Sequence, residues 1–283
     1  LAMLASAAIA PCPPGDWTPD AFRLYEALEA GCLPICDRFS VTWPKGDRGG
    51  YWLLAIGEEP FPCVDDWSEL PGLLDRYASD PVDLQRAANK AGAWWLRYKR
   101  QVAVNLTADC ALLSGEPEQP APVTVLIPTS PIPAHPSTEL IEECVRRVRS
   151  YPELRDAEII VMIDGLHPQH AHRAAAYEEY KWRLIDLCAW EPEFRGCLPL
   201  VFDEHTHQAG MTRRALELVR TPLVFFVEHD TWPVGEIDWP GILRAIEEPG
   251  VNVVRLHIFD RVIDEHRHLY GEPMTIAGLP VVP

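Results

Sequence analysis

From Val123 to Gly165 the chain reads VTVLIPTSPIPAHPSTELIEECVRRVRSYPELRDAEIIVMIDG, and two strands and a helix can be read in it. "VTVLIPTS" is an apolar run ending in a Pro-containing loop, and "AEIIVMIDG" is a second run of the same kind. Continuous rather than alternating apolar residues are how strands buried on both faces read. Between them "STELIEECVRRVRS", Ser137 to Ser150, begins Ser-Thr-Glu, which is helix-start punctuation.

Downstream the alternation continues. The short strand "LPLVFDE" precedes a helix at "MTRRALELVR", and then comes "TPLVFFVEHDTW", Thr221 to Trp232. Leu223 to Val227 are expected to form a third buried strand, with Glu228, His229 and Asp230 at its mouth. Strand and helix alternating at this spacing predict an α/β domain with a mostly parallel sheet. The closing "MTIAGLPVVP" reads as an interrupted strand or loop.

Upstream, the apolar opening "LAMLASAAIAP" lacks a basic leader and reads as a core strand rather than a signal peptide. "TPDAFRLYEALEAG" predicts a helix over about 18–30, punctuated by Thr-Pro-Asp and a final glycine. A strand "CLPIC" follows, and a second helix is predicted from about Asp80 to Leu106. Trp94, Trp95 and Tyr98 on that helix are expected to be packing surface. "SGEPEQPAP", Ser114 to Pro122, has linker composition, so domains are expected at 1–113 and 123–283, with 114–122 between them.

Composition limits the partners. With 283 residues the chain can bury two cores. A formal charge of −17 argues against nucleic acid, because phosphate contacts need concentrated Lys and Arg. Eight scattered cysteines without a CxxC pair read as reduced thiols in a reducing, cytoplasmic setting, free or peripheral at a membrane. No apolar run reaches the ~18 residues of a membrane span.

In an open parallel sheet ligands bind beyond the carboxyl ends of the strands. The residues that end the apolar runs are therefore the candidates: Pro128 and Thr129, Asp164 and Gly165, then Glu228, His229 and Asp230. Glu228 and Asp230, two apart, could turn oxygens toward one hard cation, Mn²⁺ or Mg²⁺, with positions left for phosphates. His229 between them suits a structural hydrogen bond. Asp164 before Gly165 could equally cap a turn. A rival assembly is a zinc hydrolase built from His205, His207, His229 and Asp230 with His266 and His268.

The strands "VTVLIPT" and "EIIVMIDG" together with "GMTRRALELVRTPLVFFVEHD" resemble family-2 glycosyltransferases of the GT-A fold, over about residues 122–283. The resemblance implies a nucleotide-sugar donor bordered by Pro128 and Thr129, with Asp164 on the base and Gly210 and Arg213 or Arg214 leading to the acidic motif. Glu228 and Asp230 then take the acidic places of a DxD motif holding ribose and metal-diphosphate, with Glu as the departure from two aspartates. A saccharide or other hydroxyl acceptor would attack with inversion. The base is expected well downstream, where Asp260, Asp264 and Glu265 are available, or outside this chain, so the second domain reads as truncated. A non-catalytic nucleotide-sugar-binding module is the alternative.

"DAFRLYEALEAGCLPIC", with "EPFPCVDDWSELPGLL" and the Trp-Trp helix, resembles the C-terminal part of exostosin-like GT-B glycosyltransferases. That implies a partial Rossmann-like lobe, its partner lobe lying upstream in a longer chain, with Arg23 near the donor diphosphate and Glu26 on the ribose. Arg23 and Glu26, three apart on one helix, could instead simply pair.

Overall fold

In the computed structural model, the residues described are 7–14, 22–38, 59–114, 122–256, 271–272, 274–276 and 278–281, with 107–114 described as helical backbone only. The chain divides into two units, Leu1–Pro233 and Val234–Pro283. It is a mixed α/β protein whose two larger sheets are parallel.

The first sheet joins β1 (Ile9–Cys12), β2 (Leu33–Asp37) and β3 (Cys63–Val64) in that order, with helix α1 (Phe22–Glu29) between the first two. Register pairs Cys12 with Cys36 and Cys36 with Cys63, so three thiols stand side by side across the strand ends. A hydrogen bond from Cys36 lowers the Cys12 thiol, with Arg23 adding to it, against the opposing effect of burial.

Helix α2 (Leu70–Ser79) leads into the long helix α3 (Pro81–Ser114). One face of α3 lays aromatic rings on the first sheet's core. Trp94 meets Phe61 edge-on at 5.8 Å and stacks on Tyr98 at 4.9 Å, while Trp95 lies 5.3 Å from Tyr25. These rings are packing surface, as their spacing suggests.

The second sheet holds β4 (Val123–Thr129), β5 (Ile159–Ile163), β6 (Cys197–Val201) and β7 (Leu223–Phe226) in the order β6-β5-β4-β7, all parallel. Every residue of β4 and β5 is buried, as continuous apolar runs require. Each fully buried Ile or Leu there contributes about 1.5–3 kcal/mol. Helix α4 (Glu139–Ser150) turns Ile141, Cys144, Val145 and Val148 inward, at helical spacing. Its first turn is acidic and its last basic, matching the helix dipole. Arg149 at that end donates to the carbonyls of Arg155 at 2.7 Å and Arg195 at 2.7 Å, fastening two loops. Helices α5 (Ala174–Trp190) and α6 (His207–Leu216) complete this half.

The first compact unit continues past 114–122 to Pro233, and α3 packs on elements of both sheets. Asn89 Nδ2 donates to the Glu178 carbonyl at 2.9 Å, Arg97 to the Pro199 carbonyl at 3.0 Å, and Arg100 pairs with Glu158 at 2.7 Å. Linker composition after a helix carries no information about what that helix packs on; residues 115–121 themselves lie outside the described set. The expected burial of β7 is corrected: among the described residues it is the edge of the sheet, alternately half-buried and exposed, with Val224 and Phe226 in the exposed positions.

In the second unit, helix α7 (Trp239–Ile246) is capped by Asp238, whose Oδ1 accepts the Gly241 N–H at 2.9 Å. The closing segment forms an antiparallel hairpin of β8 (Met274–Ile276) and β9 (Leu279–Val281), turning through Gly278 at φ +85. Among the described residues no helix is long and apolar enough to cross a membrane.

Candidate functional site

The strand order makes β4 the centre of a switch. The chain proceeds from β4 outward to β5 and β6, then returns to the other side of β4 as β7. Crevices at such a point, beyond the carboxyl ends, are where open parallel sheets bind ligands.

At the end of β7 the chain turns tightly. Val227 N–H still donates to the Leu126 carbonyl at 3.0 Å, and Thr231 N–H folds back onto the Glu228 carbonyl at 3.1 Å. The two-residue period of the strand persists through the turn, so Val227 and His229 point in while Glu228 and Asp230 are exposed. His229 Nδ1 lies 3.1 Å from the Pro128 carbonyl, which can only accept, so Nδ1 carries the proton. Its Nε2 is buried with no hydrogen-bond partner among the described residues. The imidazole thus ties the β7 turn to β4 and leaves the two carboxylates outside. Gln208 Nε2 reaches Glu228 Oε1 at 3.3 Å, and the charge of Asp230 adds to burial in pushing the Cys144 thiol up to about 12.

Asp164 sits at the end of β5, 2% exposed. Its Oδ1 accepts the N–H groups of Gly165 at 2.8 Å and Thr206 at 2.7 Å. Its Oδ2 accepts the His207 N–H at 3.2 Å and pairs with His205 Nδ1 at 2.8 Å. Four donors occupy the carboxylate, so in this geometry it holds the 202–207 loop and the start of α6 rather than presenting an oxygen to a base. That start is strained, with His207 at φ +64, a conformation costing about 1 kcal/mol for a side-chain-bearing residue. Gly165 permits the crossing, because a Cβ there would overlap the Glu204 backbone.

The first turn of α6 therefore joins the candidates: its backbone holds Asp164 and its Gln208 holds Glu228. Thr129 is buried, its hydroxyl 3.2 Å from Tyr180 Oη, and Pro128 contributes its carbonyl to His229. Beyond them a cavity of about 260 Å³ is lined by Pro131, Ile132, His135, His172, Arg173 and Tyr177. Gly210 packs on Thr206, whose Cγ2 would lie 2.7 Å from an added Cβ. Arg213 and Arg214 are exposed near the far end of α6, roughly 10 Å down the axis from His207 at 1.5 Å per residue, and Arg214 pairs with Glu217.

Arg23 and Glu26 belong to the other sheet, exposed on α1. The cavity of about 580 Å³ beside that sheet is lined by Glu59, Cys63, Glu69, Arg76 and Lys90 among others, not by them.

His135 stacks on Tyr180 at 3.8 Å, and burial above all, then His229 and Arg173, pushes its imidazole down to about 4. The unfolded chain binds that proton near pH 6.5, so between about 6.5 and 4 the unfolded state holds more protons, and stability is lost as the pH is lowered through that window. Urea midpoints at about pH 7.5 and 5 are expected to differ less in His135→Phe, which keeps the stacking, than in the wild type.

Asp260, Asp264, Glu265, His266 and His268 lie outside the described residues. His205 lies between His207 and His167, and His167 continues the row to His170 and His172, three residues that sequence reasoning passed over. The signal was "HPQHAH", three histidines within six residues. Among the described residues, no three His, Cys, Asp or Glu side chains are already disposed to hold a metal ion. Two outward carboxylates nevertheless fit Mn²⁺ or Mg²⁺, since such ions commonly take only one or two protein carboxylates and complete their shell with phosphate and water. Comparison with family models, with curated proteins and with solved structures finds no match.

Proposed function

We propose that this chain takes a nucleotide-sugar donor at the carboxyl end of the second sheet and belongs to a GT-A-like glycosyltransferase. The observation that supports the reading most is the turn Glu228–Thr231, where a buried His229 fastens the strand end and both acids face outward beside the central strand.

Each residue has a distinct task in this reading. Glu228 and Asp230 would hold a divalent ion, which when bound neutralises charge on a departing diphosphate. Gln208 orients Glu228 from the first turn of α6. Asp164 acts at one remove, by fixing the loop and helix start that border the crevice. The attacking group is an acceptor hydroxyl, whose proton needs a carboxylate base. A single displacement at the anomeric carbon inverts its configuration.

Calorimetric titration of the full chain with a panel of nucleoside diphosphates, with and without Mn²⁺, tests it. Binding to the wild type is expected to strengthen roughly tenfold or more with Mn²⁺, about 1.4 kcal/mol or more, and Asp230→Ala is expected to lose that gain. Binding indifferent to both ion and substitution overturns the reading.

A further inference from the structure

We infer that the loops leaving β5 and β6 form a second cation site, built of imidazoles and selective for a transition metal such as Zn²⁺. It is separate from the Glu228/Asp230 pair and does not depend on the nucleotide-sugar reading.

Five imidazoles run in a chain across these two loops. Ring centroids are 6.3 Å apart for His172 and His170, 6.2 Å for His170 and His167, 4.9 Å for His167 and His205, and 5.7 Å for His205 and His207. Two imidazoles sharing one tetrahedral ion through bonds of about 2.0–2.1 Å place their centroids roughly 5 Å apart. The His167–His205 pair already has that separation. They come from segments 38 positions apart (205 minus 167), so only the parallel pairing of β5 with β6 joins them.

His205 is prepared as a ligand. Its Nδ1 is 2.8 Å from Asp164 Oδ2, so the proton sits on that nitrogen and Nε2 keeps its lone pair. A carboxylate behind a histidine is the arrangement that fixes tautomer and ring orientation in metal sites. Asp164 is itself immobilised by three backbone N–H groups, so the second layer of the site exists before any ion arrives. His167 Nδ1 accepts the Gln169 N–H at 3.2 Å, an exposed bond that is given up on ligation. His207 and His170 flank the pair and supply the third ligand by a rotamer change, since three are not preset. His172, which accepts from Arg173 Nε at 3.3 Å, lies at the far end.

The donor chemistry sets the selectivity. Imidazole suits Zn²⁺, Cu²⁺ and Ni²⁺, whereas two carboxylates suit Mg²⁺ and Mn²⁺, so the two places sort different ions. A bound ion would clasp the loop after β5 to the loop after β6 over the end of the sheet.

Zn²⁺ competition against a chromophoric chelator, on the untagged, metal-free full chain, tests this. One Zn²⁺ per chain is expected, with affinity weakened roughly tenfold or more in both His167→Ala and His205→Ala. Asp230→Ala is expected to bind Zn²⁺ like the wild type while losing Mn²⁺-dependent nucleotide binding, which separates failure here from failure of the donor reading. Co²⁺ substitution is expected to lack thiolate charge-transfer absorption. Among the described residues the ring nitrogens of His167 bond only the exposed Gln169 N–H, so its variant remains informative even if His205→Ala folds poorly. No zinc uptake, unchanged affinity in His167→Ala, or a thiolate signature with Co²⁺ overturns the inference.

Discussion

Gly165→Ala is expected to lower the stability of the Leu1–Pro233 unit by about 3 kcal/mol or more. The methyl group would overlap Cα, C and O of Glu204. These are main-chain atoms, so no side-chain rotation relieves the clash, and either the exit of β5 or the 202–207 loop must move. Movement of that loop withdraws the Thr206 and His207 N–H groups from Asp164, leaving a buried carboxylate short of donors. Urea denaturation followed by circular dichroism measures the loss. Gly72→Ala is the control: Gly72 lies in helix α2 with nothing within 4 Å of an added Cβ, so a gain of up to about 1 kcal/mol is expected from helix propensity. Equal stability of Gly165→Ala and the wild type would sink this account of the loop crossing.

Glu178→Leu is expected to cost about 3–5 kcal/mol, seen as a fall in melting temperature of roughly 10 °C. Glu178 and Lys181 form a pair at 2.9 Å between side chains each only 3% exposed, where α3 packs on α5. Removing the carboxylate strands the ammonium over the Tyr177 ring face at 4.7 Å. Removing Lys181 instead is less severe. Glu178 would keep Asn89 Nδ2 at 3.0 Å and Arg86 at 3.8 Å. The double variant Glu178→Leu/Lys181→Met, apolar on both sides, is expected to recover most of the loss, because the penalty belongs to the unpaired charge and not to the missing attraction. A double variant as unstable as the single one would show that the network holds α3 in place in a way that apolar packing cannot replace.

Much of the candidate crevice could be listed from local pattern alone. Apolar runs end at Thr129, Asp164 and Val227, and in a parallel sheet those ends share one edge. The inward turn of His229 was legible as well, since it follows from the strand period that also exposes Glu228 and Asp230. Other features were hidden because they depend on long-range partners. Asp164 before a glycine reads the same whether it awaits a ligand or holds four donors, and its occupancy is set by residues 205–207. The edge position of β7 was invisible for a similar reason: apolar content reports that a segment packs somewhere, not how many strands flank it.

The sequence by itself determined the alternation of strand and helix, the burial of β4 and β5, the parallel sense of the sheets and the helix ends, because each follows from short-range periodicity and from punctuation by Pro, Gly and capping residues. Only the tertiary structure decided the order β6-β5-β4-β7, the role of α3 across both sheets, the engagement of Asp164 and the gathering of His167, His170, His205 and His207. Those depend on which distant segments meet, and pairing between strands is selected by the packing of the whole unit, which no local window contains.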